Sequence, residues 1–204
     1  MRGEYIVLNV VKITEKEYKL LVDWNIGKDE NYLYQWAGPN VYNYPITIDQ
    51  IKSHASEEFS QIYIILDNEN PIGSIELEKI NNETLSAHIS RFILCDNAKN
   101  RGFGTMALKQ LINIAFKELG LKKLTLNVFC FNAGAIRCYE KTGFLVKEFH
   151  QREDAKWNYY TMDYMEIFPK IIKEGFKIAN KPIVERYSVK MVESGFCEIC
   201  IPVE

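Results

Sequence analysis

The chain has 204 residues, 47% of them hydrophobic, which is enough to bury one good core. Lysine and arginine number 25 against 27 aspartates and glutamates, so the formal net charge is -2. This balance excludes a basic surface of the kind that binds nucleic acid or membranes, while a local basic pocket for a small anion stays compatible with it. We expect one domain over residues 1–168 and a C-terminal extension over 169–204.

The first residues do not lead into an apolar signal core, and no stretch approaches the roughly 18 apolar residues of a membrane span. The five cysteines are odd in number and scattered, which is typical of reduced thiols in a cytoplasmic protein. Cys197 and Cys200 form a lone Cys-x-x-Cys pair without further ligands nearby, so we expect no metal site.

The first third of the chain predicts a strand and two helices. Residues 5–11 are rich in β-branched side chains and predict an opening strand. Thr14 precedes a short helix with an apolar face. Residues 31–49 are rich in aromatic residues and broken by glycine and proline, which predicts neither a helix nor a strand. A second helix is expected to follow Thr47 and to run through Ile51 to Ser56.

The middle of the chain predicts an antiparallel meander, with strands over 61–66, 72–80 and 85–94. Beyond residue 94 the spacing of the apolar residues changes from that of a strand to that of a helix. Helices are expected over 104–119 and 133–142, each followed by a glycine that ends it, and strands over 124–130, 144–149 and 159–167. The pattern weakens beyond Pro169, where one further helix near 171–178 and a last strand are expected. The order of elements predicts a mixed α/β fold.

The most informative segment joins the strand that ends at Leu94 to the following helix. A helix N-terminus offers N–H groups and a positive dipole end, which suit an anion. Gly102 and Gly104 let the backbone approach phosphate oxygens, while Lys99 and Arg101 add mobile positive charge. The segment therefore predicts a phosphate-binding turn; a plain tight turn between strand and helix is the alternative.

Two other nucleotide motifs do not fit this turn. A P-loop requires Gly-Lys-Ser/Thr after its glycines, whereas Gly104 is followed by Thr105-Met106. A dinucleotide-binding turn requires a third spaced glycine, which is missing here.

The segment Lys99-Asn100-Arg101-Gly102-Phe103-Gly104 is similar to the Arg/Gln-x-x-Gly-x-Gly/Ala element of the GNAT superfamily of acyl-CoA N-acyltransferases. It departs from it in carrying lysine first and asparagine where many relatives have a further glycine. A second segment, residues 132–144, resembles the superfamily's Asn-x-x-Ala-x-x-x-Tyr-x-x-x-Gly-Phe. The resemblance covers about residues 5–167, and the aromatic N-terminal region looks like the RimJ/RimL type.

The resemblance implies a central mixed, mostly antiparallel twisted sheet with a splayed parallel strand pair, flanked by helices. It implies that acetyl-CoA lies in a cleft between the strand ending at Leu94 and the strand 124–130. The cofactor-binding residues that it implies are Phe92, Ile93 and Leu94 for the pantetheine arm, Lys99, Asn100, Arg101, Gly102, Phe103, Gly104 and Thr105 for the pyrophosphate, and Asn132 at the second helix. Asn132 as a plain helix N-cap gives the same sequence pattern.

The resemblance implies direct attack of a neutral amine on the thioester of acetyl-CoA. Tyr139 matches the tyrosine that acts as general acid toward the departing thiolate. The general base stays open between His88, which can accept a proton near neutral pH, Glu76 or Glu78 on the preceding strand, and a water chain.

The acceptor is expected to bind residues 32–44 and the hairpin around 157–160, whose aromatic side chains can cover a cation. A protein N-terminus, a polyamine, an aminoglycoside and a small amino compound all fit. A non-catalytic acyl-CoA-binding or sensing protein on the same fold is the alternative function. The tail is expected to be a dimerisation arm, a lid or an added layer of the sheet, with a homodimer as one partner expectation.

Overall fold

The computed structural model describes residues 8–165, 188–191 and 197–200. The chain divides into two compact units, one ending at Leu121 and the other beginning at Lys122. Within the described residues, every helix is too short or too polar to cross a membrane.

Four strands of the first unit pair in sequence order, each antiparallel to the next. They are β1 (Leu8–Lys12), β2 (Ser60–Asp67), β3 (Asn70–Asn81) and β4 (Ser86–Leu94). Val10 lies opposite Ile65, Tyr63 opposite Ile75 and Leu77 opposite Ile89. The predicted meander is confirmed, and the opening strand extends it by pairing with β2.

The helices of the first unit are α1 (Tyr18–Asp23), α2 (Glu30–Ala37), α3 (Ile48–Ala55) and α4 (Phe103–Asn113), and a short 3₁₀ turn, Glu15–Glu17, precedes α1. Thr47 caps α3, as the sequence predicted: its side-chain oxygen accepts the Gln50 N–H at 3.3 Å. The predicted helix over 104–119 is present as α4 and a wider π-helical segment, Ile114–Glu118.

The prediction of no regular structure after residue 31 is wrong for α2. Asp29 caps this helix by accepting the Tyr32 N–H at 2.8 Å, and Gly38 ends it with φ of 73°. Its aromatic residues are weak helix formers. Burial overrides that preference, because Leu33 is only 4% exposed and packs in a cluster with residues of α1, α3 and β2.

Strand β4 contains a bulge just before the residues expected to bind the pantetheine arm. Ser74 of β3 lies opposite Ile93, but Glu76 lies opposite Ser90, so β4 carries one extra residue in this interval. Arg91 takes up that residue with φ of 46°, a value that side-chain-bearing residues rarely adopt. The bulge therefore changes the direction of β4 immediately before Phe92.

Gly73 brings the backbone of β3 close to β4 directly beyond this bulge. A Cβ at position 73 would lie 2.7 Å from the Leu94 Cδ2 atom and closer still to the Ile93 carbonyl oxygen. Because that oxygen is backbone, it cannot rotate away as a flexible side chain would. Glycine at position 73 thus sets where the end of β4 lies.

Between residues 122 and 165, the second unit forms a three-stranded sheet and one α-helix, with β7 between β5 and β6 and antiparallel to both. The elements are β5 (Lys123–Phe129), α5 (Ala133–Thr142), β6 (Leu145–His150) and β7 (Tyr159–Met165). All four agree with the predicted elements. Strands β8 (Ser188–Met191) and β9 (Cys197–Cys200) form a separate antiparallel pair, and the helix expected near 171–178 lies outside the described residues.

The close approach at Gly73 generates a stability prediction. Gly73→Ala is expected to lower the free energy of unfolding by roughly 1–3 kcal/mol, because β3 and β4 must separate to admit the methyl group. Thermal unfolding monitored by circular dichroism measures the effect.

Gly134→Ala is the matched control, since a Cβ there would have its nearest neighbour, the Asn132 Oδ1 atom, at 4.0 Å. It lies within α5, where alanine is the better helix former. A Gly73→Ala protein that melts at the wild-type temperature would contradict the account of the strand spacing.

Candidate active site

The turn between β4 and α4 has the backbone geometry of an anion site. It passes through a 3₁₀ turn, Asp96–Ala98, and two residues with positive φ, Asn100 at 60° and Gly102 at 85°. The helical ladder begins where the Met106 N–H donates to the Gly102 carbonyl oxygen at 3.2 Å. The N–H groups of Phe103 and Gly104 precede that first bond, so helix geometry leaves them outside the ladder and available to an anion.

The two predicted cationic residues of this turn point to different partners. Lys99 Nζ lies 2.6 Å from Asp96 Oδ1 and 3.4 Å from the Tyr32 hydroxyl. The Arg101 guanidinium lies over the Phe103 ring, 4.8 Å from its centroid, and donates to the Asn97 carbonyl oxygen at 3.3 Å. Both cations therefore stay at the turn, within reach of a phosphate group bound there.

Sequence reasoning missed a third cation at this turn. Lys28 Nζ lies 2.6 Å from Asp96 Oδ2, and the two residues are 68 positions apart in the chain. Tyr32, one turn into α2, has Lys28 Nζ 5.1 Å and Lys99 Nζ 5.3 Å from its ring centroid. We call Lys28, Tyr32, Asp96 and Lys99 the Asp96 cluster. A local sequence pattern cannot predict a contact between residues so far apart in the chain.

The Asp96 cluster shifts the pKa values of its members. Hydrogen bonds from Lys28 and Lys99, together with their charges, lower the pKa of Asp96 to about 2. Burial alone would lower the pKa of Lys99, but its bonds to Asp96 and Tyr32 outweigh this and raise it. Asp96 and Lys99 therefore both stay charged throughout the physiological pH range.

Glu76, one of the predicted general bases, lies in a buried network. Its side chain is 1% exposed, and its Oε1 atom accepts hydrogen bonds from His54 Nε2 at 2.8 Å, from Arg91 Nη1 at 3.0 Å and from the Ser60 hydroxyl. Arg91 also donates to Glu78 Oε2 at 2.6 Å. These contacts make Glu76 a structural anion that ties α3, β2 and β4 together.

His54 lies between this network and a cavity of about 340 Å³ beside α3. The cavity is lined by Val41, Asp49, Gln50, Ser53, His54 and Glu57. His54 Nδ1 lies 3.1 Å from Glu57 Oε1 without a well-aligned hydrogen bond. Burial, the largest single influence, lowers the pKa of His54, but the hydrogen bond and charge of Glu76 with a smaller effect of Glu57 outweigh it, so the pKa is raised.

Strand β4 carries the predicted base His88 and the residues expected to bind the pantetheine arm, 92–94. His88 is half-buried and lies opposite Glu78 of β3. Ile93 is 4% exposed, so its side chain belongs to the core. Binding of the pantetheine arm by the backbone of residues 92–94 stays a prediction.

The second unit carries Tyr139 and Asn132 on α5. Asn132 is a helix N-cap whose side-chain oxygen accepts the Ala135 N–H at 3.2 Å. Tyr139 is 7% exposed, with its ring centroid 6.0 Å from that of Phe144. Burial, and to a lesser degree Cys138, raises the pKa of Tyr139. The raised pKa therefore favours the protonated phenol, the form that has a hydrogen to donate.

Three aromatic side chains of the second unit form a group at the end of β5. The Phe129 and Phe131 rings stack with centroids 5.5 Å apart, and Trp157 meets them edge to face at 5.0 and 5.8 Å. Lys156 Nζ lies 4.7 Å from the Trp157 ring centroid. This group already holds an ammonium against an aromatic face.

Comparison with known proteins gives consistent matches. The model of the family described as "Acetyltransferase (GNAT) family" matches residues 23–144, more than half of the chain. A spermidine N(1)-acetyltransferase of Vibrio cholerae is 25% identical over 131 residues, which span 64% of this chain and 75% of that protein. The L-amino acid N-acetyltransferase AaaT of Escherichia coli is 24% identical over 120 residues, 54% of this chain and 73% of that protein.

Solved structures agree on the fold. A crystal structure of spermidine N-acetyltransferase from Vibrio cholerae in complex with CoA and spermine matches 79% of this chain and 96% of its own, with a TM-score of 0.67 at 19% identity. A chimera of that protein with hSSAT gives a TM-score of 0.64 over 78% of this chain and 95% of its own, also at 19% identity. The predicted mixed α/β fold is confirmed.

The His54–Glu76 pair predicts a pH-dependent stability. Because folding raises the pKa of His54, the pair stabilises the fold fully below the unfolded pKa of about 6.5 and loses this contribution as the pH rises through the folded value. His54→Gln is therefore expected to lower the free energy of unfolding by roughly 1.5–3 kcal/mol in mild acid and by less at alkaline pH. Urea unfolding across that pH range measures this difference.

His150→Gln supplies the control, since His150 lies 3.5 Å from Glu148 but both side chains are partly exposed, 28% and 62%, so solvent screens this pair. We expect its unfolding curve to follow the wild-type pH dependence. If His54→Gln lowers the free energy of unfolding by the same amount at every pH, the His54–Glu76 pair makes no pH-dependent contribution to stability.

Proposed function

The chain belongs to the acetyltransferase (GNAT) family, which makes it an N-acetyltransferase that moves an acetyl group from acetyl-CoA to an amine, and we propose that a small, positively charged molecule carries this amine. The observation that supports the use of acetyl-CoA is the turn at the start of α4. There the positive φ of Gly102, the helix N-terminus and the cations Lys99 and Arg101 occur together. A CoA pyrophosphate requires donors and cations of these kinds.

The reaction is proposed as direct transfer from acetyl-CoA to the bound amine. The amine nitrogen, in its neutral form, forms a bond to the thioester carbonyl carbon, and the carbon–sulfur bond breaks to release the CoA thiolate. An alkylamine with a pKa of about 10.4 is mostly protonated at neutral pH, so it must lose one proton before attack and another on forming the amide. The leaving thiolate requires a donor.

Tyr139 is the proposed donor to the thiolate. Its raised pKa favours the protonated phenol, which suits a donor and excludes a role as base. A thiol has an ordinary pKa of about 8.5, so complete proton transfer from such a phenol to a thiolate is uphill. We therefore assign Tyr139 a hydrogen bond that stabilises the sulfur as negative charge develops on it, with protonation by solvent afterwards.

His88 is the proposed base for the amine proton, directly or through water. It is half-buried on β4, and histidine is the residue type that most often serves as a general base. Glu76 is left out of the reaction, because its carboxylate is 1% exposed and already accepts from three side chains. A proton transferred to Glu76 would weaken all three bonds.

The nature of the acceptor is supported by the two relatives and by the second unit. Spermidine and L-amino acids, the substrates in the relatives' names, share a primary amine on a small molecule. The face of Trp157 in the aromatic group of Phe129, Phe131 and Trp157 holds the Lys156 ammonium, which is the charge that a polyamine presents. We place a polyamine first and an amino acid second.

Three further expectations stand as proposals. The aromatic residues of α2 support a RimJ/RimL-like subtype, for which a protein N-terminus is the alternative acceptor. The exposed Val146 and Phe149 side chains on β6, 38% and 52% exposed, support a homodimer. The scattered cysteines support a cytoplasmic location.

An acceptor panel tests the substrate class. With acetyl-CoA saturating, we expect spermidine and spermine to be acetylated with the highest kcat/KM, amino acids less well, and a peptide N-terminus least. Release of the CoA thiol, followed with a thiol reagent, measures the rate. Preference for the peptide would contradict the small-molecule acceptor, and absence of turnover with every amine would leave a protein that only binds acyl-CoA.

Tyr139→Phe tests the proposed donor. Loss of the hydroxyl is expected to lower kcat roughly a hundredfold, the size typical of removing one hydrogen-bond donor to developing negative charge, while the acceptor KM and the affinity for acetyl-CoA change little. Steady-state kinetics and calorimetric binding measure the two effects.

Tyr63→Phe is the matched control for Tyr139→Phe. Tyr63 is 2% exposed, its hydroxyl donates to Gln61 Oε1 at 2.8 Å, and burial raises its pKa to about 12. It lies on β2 and has no role in the proposed mechanism, so the kcat of the variant is expected to match the wild type. Equal kcat values for the two variants would remove Tyr139 from the mechanism.

A further inference from the structure

The Asp96 cluster has the geometry of a clamp for an oxyanion. Each oxygen of the Asp96 carboxylate lies 2.6 Å from a different ammonium, Oδ1 from Lys99 and Oδ2 from Lys28. The Tyr32 ring lies close to both lysines, with its centroid 5.1 Å from Lys28 Nζ and 5.3 Å from Lys99 Nζ. Two cations are thus held against the two oxygen atoms of one small anion.

The charges of this clamp are not balanced by Asp96. One carboxylate faces two ammonium groups, which leaves an excess of one positive charge at the start of the phosphate-binding turn. A phosphate monoester or a pyrophosphate carries more negative charge and more acceptor oxygens than a carboxylate. Such a group would satisfy both lysines better than Asp96 does.

The carboxylate is also easy to displace. The Asp96 side chain is 62% exposed, and exposed ion pairs contribute little net stability because water competes for both partners. Asp96 belongs to the turn itself, three residues before Lys99, so rotation of one side chain would release both ammonium groups. The exchange requires no change in the fold.

We propose that Lys28 is a cofactor-binding residue, which with Lys99 holds a phosphate group of CoA, and that Asp96 occupies this position as an exchangeable counter-ion in the free protein. The inference rests on the proposed use of acetyl-CoA. It adds a residue from the segment before α2, outside both sequence motifs, to the site. Lys28 also contacts the aromatic-rich segment 31–49, since the Tyr44 hydroxyl donates to the Lys28 carbonyl oxygen at 3.1 Å.

The clamp makes a prediction that a structural ion pair does not. If Lys28 and Asp96 only hold the turn in place, Lys28→Met and Asp96→Asn break the same contact and must change CoA affinity in the same direction. If Asp96 competes with phosphate for the lysines, the two substitutions act in opposite directions. Lys28→Met is expected to weaken CoA binding roughly tenfold, the loss of one charge-assisted hydrogen bond, and Asp96→Asn to strengthen it severalfold.

Isothermal titration of the full chain with CoA, dephospho-CoA and 4′-phosphopantetheine measures whether each substitution weakens or strengthens binding. Lys19→Met is the matched control, because Lys19 also lies 2.6 Å from an aspartate, Asp23, but on α1 and away from the turn. Its affinity for CoA is expected to equal that of the wild type. Circular dichroism melts of all variants verify that each one folds.

Comparison of CoA with dephospho-CoA identifies the phosphate that the clamp holds. A Lys28→Met loss seen with CoA but not with dephospho-CoA assigns the 3′-phosphate, whereas an equal loss with both assigns the pyrophosphate. Either result, with the opposite effect of Asp96→Asn, supports the clamp.

Unchanged CoA affinity in a folded Lys28→Met protein, or weakening by both substitutions, overturns the clamp and leaves the acetyltransferase assignment intact. A wild-type chain that binds no CoA at millimolar concentration overturns both. The failure of the inference and that of the proposed function therefore give different results.

Discussion

The buried Glu76 carboxylate is the constraint on which the first unit depends. Its Oε1 atom accepts from His54 of α3, from Ser60 of β2 and from Arg91 of β4, so three elements are fixed by one oxygen. A carboxylate taken out of water is costly, and the cost is offset only when its partners are in place. The network therefore favours one arrangement of these elements over others that would bury the same apolar surface.

This network also sets the geometry at the end of β4. Arg91 is the bulge residue, and its unfavourable φ is held by hydrogen bonds to Glu76 and Glu78. Gly73 on β3 admits the Ile93 backbone just beyond the bulge. The strand thus reaches the phosphate-binding turn with a direction determined by buried charges, and the turn then starts α4.

Local signals in the sequence predicted most of the fold. Thr47 and Asn132 are N-caps where expected, and Gly143 ends α5 with φ of 103°. Helix α2 was missed because its stability comes from burial of Leu33, and helix propensity does not include burial. The motifs located the turn and α5, but two features depended on distant contacts. Glu76 alternates with Ile75 and Leu77 like an exposed residue, yet α3 covers its face, and Lys28 reaches Asp96 from 68 residues away.

The aromatic group at the end of β5 has an optical consequence. The chain has three tryptophans: Trp24 and Trp36 belong to the first unit, partly buried beside its core cluster, and Trp157 belongs to the second. Trp157 carries a lysine ammonium against its ring, so its emission responds to any molecule that replaces that cation. A Trp157→Phe protein would fluoresce from the first unit alone, and subtraction of its spectrum would isolate the signal of the second unit.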